Sequence, residues 1–533
     1  MTSKPTSDRA RRVAVGLTAA VAMCLSAPTV FGASAAAAAS PALNGPAATR
    51  GPLAVSDKRE PNPTVTGPLT GGVHGHPFMA TAFKVSDYGY TQREFMFSGV
   101  ATAYAGHQPP ASYATRMLIY APKNPKRFSG TVIVEWDNVT AQLDAPADFE
   151  WTYPQVMADG DAYVEVTAQQ VGVCGLGLTG DPIAGKVAVC TPTSLKGFDP
   201  VRYAALHLPG DAYSFDIFSQ ALQAVKHPRG INPLGRLHPR VVLAAGESQA
   251  AFELDDYIQN GADSDARLAD GFLVDSDLNH PEPHSYRVPT LFIWGEDSVQ
   301  KVTKTFGRNH VAWSVSGAGH TDYWLLQHLV PAVAGTELNT PPVSKPREQA
   351  LELTDGDYGQ AGGVLSDTCA GGEQYPRRYV LDAAINDLAR WAGTGKRAPT
   401  VPPLKFSSRG LPPSSLFNLG VVFTTDPQGN ALGGLREPLI THPVATYIGN
   451  ACPLLGTSTP LTHHQLVALY PTHAAYVRKM ITATSASVLR RFMTQRDGRD
   501  LIARACRSAI PGWGTTATSS QPPICRALPR DVR

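Results

Sequence analysis

The stretch from Val241 to Ile258 constrains this chain more than any other. Val241-Val242-Leu243-Ala244-Ala245 is an apolar run of buried-strand length, and it leads into Gly246-Glu247-Ser248-Gln249-Ala250. Beyond that junction Ala251, Leu254, Tyr257 and Ile258 recur at helical spacing. Strand, tight turn and helix leave Ser248 at the apex, the context of a nucleophile elbow. Such a turn forces strained backbone angles, so its neighbours must be small. Ala250 stands where the G-x-S-x-G pattern ends in glycine, and its methyl group must fit against the neighbouring strand. An ordinary strand-to-helix turn with a solvated serine would match the same five residues, so the downstream chain has to decide between the two.

The 533 residues leave room for one large domain or two ordinary ones. Residues 1–40 are set apart from the fold. Arg9, Arg11 and Arg12 precede the apolar run Val13 to Leu25, and Ala33-Ser34-Ala35 follows, the layout of a Sec-type signal peptide. The surroundings of Arg11-Arg12 lack the twin-arginine pattern. No later stretch is apolar for long enough to cross a bilayer. The expectation is a secreted, extracellular protein with no transmembrane segment. In an oxidising compartment the remaining cysteines, Cys174, Cys190, Cys369, Cys452, Cys506 and Cys525, form an even set. Nearness in sequence pairs Cys174 with Cys190 and Cys506 with Cys525, leaving Cys369 for Cys452. No CxxC, Cys/His spacing or H-E-x-x-H suggests a metal. A net charge of +2 offers no concentrated basic face for nucleic acid.

Residues 41–66 are rich in Pro, Ala and Gly and read as a linker. Short runs between about 67 and 128, such as Phe95-Met96-Phe97 and Arg116 to Tyr120, predict antiparallel strands. Further strands are expected at Gly130 to Trp136, Ala162 to Thr167, Ala269 to Asp275, Val288 to Trp294 and Ala312 to Val315, with a helix over Ala212 to Val225. Gly175-Leu176-Gly177-Leu178-Thr179-Gly180 matches G-x-G-x-x-G, but Asp181-Pro182 follows where a dinucleotide site needs a helix to open. It reads as a glycine-rich excursion between two cysteines. The alternation fades after about 336, where helices are expected over Tyr379 to Trp391 and Tyr470 to Phe492. The organisation is an α/β core over 67–335 with a mainly parallel sheet, then a large cap-like extension over 336–533 that packs on the core.

Ser248, an acid after the strand ending at Trp294, and His320 in Gly317-Ala318-Gly319-His320 occur in the order Ser, Asp/Glu, His. A serine hydroxyl needs a base at neutral pH, and the histidine needs a carboxylate to fix its tautomer. Gly130 to Trp136 with Asn138-Val139, the elbow with Tyr257-Ile258-Gln259-Asn260, and the Gly317 to His320 loop together resemble the secreted "alpha/beta hydrolase domain" family of serine hydrolases. The likeness runs from about residue 65 to the C-terminus and takes in Gly433 to Pro438 and Leu469 to His473. It implies an α/β-hydrolase fold and a serine-hydrolase site, and it implies no substrate. Two departures matter. The strand ending at Trp136 is followed by Thr140-Ala141-Gln142 where the family has a glycine pair, and the acid is either Glu296 or Asp297. The family pattern in that loop slightly favours Glu296.

The oxyanion hole is expected from the backbone N–H of Gln249 and one N–H near Asn138 or Val139. Trp136, Trp151 and Trp324 lie near these loops and either line an apolar pocket or pack in the core. The reading is a carboxylic-ester hydrolase for a small-molecule or lipid-like ester, forming an acyl-enzyme on Ser248 and needing no cofactor or metal. Acyl transfer by the same three residues, and a non-catalytic binding protein on a hydrolase scaffold, are the alternatives. The short loop Leu278 to Arg287 leaves little chain for a lid in the usual place, so part of 340–533 is expected to border the Ser248 pocket.

Overall fold

The computed structural model describes residues 60–104, 108–175, 190–277, 285–298, 307–325, 328–329, 375–407, 421–451, 454, 456–512 and 522–527. The signal segment, most of the glycine-rich excursion, the start of the 278–287 loop, Cys369 and Cys452 lie outside them. Nine strands form one sheet: β1 (Thr64–Thr66), β2 (Tyr90–Ala101), β3 (Ala111–Pro122), β4 (Thr131–Trp136), β5 (Ala162–Val166), β6 (Val241–Glu247), β7 (Gly271–Asp275), β8 (Thr290–Trp294) and β9 (His310–Ser314). Their order is β1-β2-β3-β5-β4-β6-β7-β8-β9. β1, β2, β3 and β5 pair antiparallel, and every pair from β5 onward is parallel.

The parallel strands are mostly apolar and buried along nearly their whole length because helices cover both faces. On one face Val132, Val134, Val242, Ala244, Phe272 and Val274 pack under α2 (Ser214–Lys226) and α3 (Gln249–Gln259). On the other, Ile133, Leu243, Ala245, Leu273 and Ile293 pack under α1 (Ala147–Asp159) and α4 (Arg377–Thr394). The alternation of consecutive residues between the two clusters is the two-residue period of a strand. α4 directs Val380, Leu381, Ala384, Ile385, Leu388 and Trp391 at the sheet and stops at Gly395, whose φ of 74° suits a left-handed cap.

Beyond α4 the C-terminal region resembles a cap, with helices α5 (His473–Leu489) and α6 (Gln495–Arg507) around a cluster of their own that includes Leu466, Tyr470, Val477, Met480 and Leu501. The long helix expected from Tyr470 begins only at His473. Thr472 caps it by accepting from the Ala475 N–H, and Pro471 precedes the cap. The region meets the sheet edge through the parallel bridge from Val315 to Leu435 and through Trp313 of β9, which packs on Phe492 and donates to the Pro399 carbonyl at 2.7 Å. Cys174–Cys190 and Cys506–Cys525 are disulfides. Among the described residues no helix is long and apolar enough to cross a membrane, and no His/Cys/Asp/Glu group is placed to hold a metal ion.

Candidate active site

β5 lies on one side of β4 and β6 on the other, so the chain leaves β4 in one direction and returns in the opposite one. The crevice at the carboxyl ends of such strands is where α/β sheets bind ligands. Asn138 and Val139 follow β4 there, and Ser248 follows β6. Ser248 has φ 56° and ψ −115°, a strained conformation for a residue with a side chain. Its N–H donates to the Asp275 carbonyl at 2.8 Å, and its own carbonyl accepts from Phe252 at 3.1 Å. A Cβ on Gly246 would lie 2.8 Å from the Ala250 carbonyl oxygen, so the turn requires glycine at that position. Ala250 is fully buried, and its methyl group is accommodated.

Ser248 Oγ lies 2.7 Å from His320 Nε2, and His320 Nδ1 lies 2.9 Å from Asp297 Oδ2. Burial alone would lower the His320 pKa. The Asp297 hydrogen bond and the charges of Glu247 and Asp297 outweigh it, and the net effect is a raised pKa. Glu296, the carboxylate slightly favoured from sequence, does not face His320. Its two oxygens accept the N–H groups of Gly317 at 2.7 Å and Gly449 at 2.9 Å, tying the histidine loop to the C-terminal region. Burial raises its pKa to about 7 despite those two donors. The residue that meets the imidazole is the one-residue neighbour, Asp297.

Of the expected oxyanion donors, the Asn138 N–H is engaged by the Ala145 carbonyl at 2.9 Å, and this corrects its candidacy as a backbone donor. Its side chain instead donates to the Glu247 carbonyl oxygen at 3.0 Å and to Glu247 Oε2 at 2.9 Å. The Val139 N–H points at Gln249 Oε1, 3.2 Å away. The Gln249 N–H heads α3, where the first N–H groups have no acceptor within the helix.

A family model described as "Alpha/beta hydrolase domain" matches residues 65–503. The chain belongs to that family. No curated protein matches it. Similar solved structures include a thermostable esterase from Pseudomonas putida ECU1011, 14% identical with a TM-score of 0.29, the match covering 48% of this chain and 83% of that one. Another is the esterase Est22, 10% identical with a TM-score of 0.28 and the same coverage, 48% and 83%. Membership of the alpha/beta hydrolase superfamily is consistent with hydrolytic activity.

Two residues of this alpha/beta hydrolase that reach its site have no motif to announce them. Glu247 is buried, and its Oε1 lies 3.3 Å from His320 Nε2. Its only signal in the sequence is an acid directly before the elbow serine. Arg377, the first residue of α4, donates to the Gly319 carbonyl at 2.6 Å and to Ser276 Oγ at 2.5 Å, and pairs with Asp275. It stands far beyond His320 in an unpatterned stretch, so no spacing could have singled it out. The tryptophans sort by environment. Trp136 packs on Phe218 in the core, and Trp151 is buried with its Nε1–H on Asp322 at 2.8 Å. Trp324 is half-buried, with Arg378 over its ring at 4.1 Å.

Proposed function

We propose that the protein is an exported serine hydrolase that cleaves carboxylic esters, small or lipid-like, through an acyl-enzyme on Ser248. The observation that carries this reading is the unbroken pair of hydrogen bonds from Asp297 through His320 to Ser248, 2.9 and 2.7 Å long, at the carboxyl end of the sheet. Asp297 holds the proton on Nδ1, which leaves the Nε2 lone pair for the serine hydroxyl. As Ser248 Oγ bonds to the acyl carbon, its proton passes to Nε2 and the carbonyl π electrons move onto oxygen. The N–H groups of Gln249 and Val139 receive that charge once the ester oxygen replaces Gln249 Oε1 on Val139. Collapse reforms the carbonyl and expels the alcohol, which takes the proton from Nε2. Water then repeats the sequence on the acyl-enzyme.

In this reading the region beyond residue 340 supplies a wall of the site and sets substrate size. Its contacts with the acid and histidine loops support this: Gly449 N–H to Glu296, and the Leu454 carbonyl accepting from Thr321 at 2.7 Å. A fluorophosphonate probe should label one peptide, that of Ser248. The Ser248→Ala variant should lose the label and several orders of magnitude of ester turnover while keeping its melting behaviour. Wild-type turnover in Ser248→Ala would refute the reading. Recovery of a form starting near residue 41 from culture medium would test the export.

A further inference from the structure

Glu247 stands outside the relay from Asp297 to Ser248, yet it is built into the same nitrogen. His320 Nε2 is 2.7 Å from Ser248 Oγ and 3.3 Å from Glu247 Oε1. The carboxylate cannot swing away easily. It is the last residue of β6, its Oε2 accepts from Asn138 Nδ2 at 2.9 Å, and the same Nδ2 donates to the Glu247 carbonyl oxygen at 3.0 Å. Asn138 is in turn fixed by exchanging both backbone hydrogen bonds with Ala145, each 2.9 Å. This places a second carboxylate on His320, on the side opposite Asp297. We propose that Glu247 is a positioning residue for the reaction, a second anion that stabilises the His320 imidazolium formed when Ser248 gives up its proton. The proposal rests on the serine-hydrolase reading of the site.

The physical case is one of differential interaction. Beside neutral imidazole a carboxylate faces the Nε2 lone pair and gains little. Once Nε2 carries the serine proton, the same carboxylate faces a cation in a buried site. An interaction that strengthens only as charge develops lowers the barrier rather than the ground state. The groups facing Glu247 are His320, Asn138, Asp275, Arg377 and Asp148. Burial lifts its pKa to about 7, Asp275 pushes the same way, and the His320 and Arg377 charges oppose them. Glu247 and His320 therefore titrate as an interacting pair, with the acid limb of the activity profile belonging to both.

Glu247→Gln keeps the size and a carbonyl oxygen for Asn138 while removing the charge. It should reduce kcat about tenfold or more with little change in KM, and lower the acid-limb pKa of kcat/KM by about one pH unit. Glu247→Asp, which restores the charge at a greater distance, should recover part of both effects, and a merely structural role would not move the pH profile. A readout independent of turnover is the His320 imidazole titration followed by NMR in Ser248→Ala and in Ser248→Ala/Glu247→Gln. The second variant should titrate at lower pH. An unchanged His320 titration would overturn the proposal, as would a Glu247→Gln enzyme with the wild-type kcat and acid limb. If Ser248→Ala itself keeps full turnover, the serine-hydrolase reading fails first. If Ser248→Ala is inactive and Glu247→Gln is unaltered, only the role of Glu247 falls.

Discussion

Two buried arginines, Arg116 and Arg377, each 1% exposed, hold the two loops that meet at Ser248, and they do it differently. Arg116 on β3 sits beneath the loop that carries Asn138 and Val139. It pairs with Asp144 at 2.7 Å and Glu94 at 3.1 Å, with Asp137 at 4.0 Å, and donates to the Phe78 carbonyl at 3.2 Å. Arg377 sits behind the histidine loop. Its guanidinium pairs with Asp275, and its remaining hydrogen bonds go to neutral oxygens: Ser276 Oγ and the carbonyl of Gly319, the residue directly before His320. An arginine surrounded by acids offsets a charge that would otherwise be buried alone, which is a matter of stability. An arginine gripping the backbone next to the histidine also fixes where an imidazole points, which is a matter of alignment.

The largest test of that difference is on the histidine side. Asp297→Asn should lower kcat by about two to four orders of magnitude, because an amide can favour the wrong imidazole tautomer. Glu296→Gln should leave the relay working, since Glu296 faces Gly317 and Gly449 rather than His320. Ester kinetics on the two variants check this, and equal losses would mean that both carboxylates act on His320.

Next in size are the arginines themselves. Removing one partner of a buried pair destabilises by about 3–5 kcal/mol. Arg116→Met, which leaves Asp144 and Asp137 without a cation while Glu94 keeps Arg202 at 2.5 Å, should lie at the upper end of that range in urea unfolding. Arg377→Met should lie at the lower end, yet lose the larger share of kcat per unit of stability lost, because it also releases the Gly319 carbonyl. If the two variants lose activity in proportion to stability alone, the distinction between the two clamps is empty.

What was legible in the sequence follows the same division. The elbow could be read because strand, turn and helix are local, and Gly246 is required by a contact only four residues away. His320 could be read from order and loop type. The choice between Glu296 and Asp297 could not, because both follow β8 and a one-residue difference in the turn decides which carboxylate meets the imidazole. Asn138 was expected to offer its backbone and offers its side chain, since its N–H is taken by Ala145, a pairing set by the loop's own return. Arg377 was out of reach for a different reason. It lies 102 positions from Asp275, and only the packing of α4 on β6, β7 and β8 brings the two together. The C-terminal region could be expected near the site because the usual lid position is short, but that argument names no residue.

The smallest effect concerns pH, and here the two loops act in the same direction. Burial raises Glu296 and Glu247 to about 7 on the histidine side and lifts Asp137 well above the usual carboxylate range beneath the other loop. Glu253 and Glu437 are raised to about 8 by burial as well. Each of these carboxyls holds its proton in the folded state at a pH where the unfolded chain, with pKa values of about 4 for Asp and Glu, has lost it. Stability therefore falls as pH rises. The raised His320 pKa has the same sign above about 6.5, where the unfolded histidine is already neutral. Buried His310 and His328, lowered to about 4, oppose this only below that point, because at higher pH they are neutral in both states. Between pH 6.5 and 8 the urea midpoint should consequently fall, with a slope of about 1.4 kcal/mol per pH unit for each retained proton. Glu296→Gln should be less stable throughout, since one amide oxygen cannot accept from both Gly317 and Gly449, but its pH dependence should be shallower by up to one proton. A midpoint that does not fall over that interval would mean that these carboxyls and His320 have already lost their protons in the folded protein.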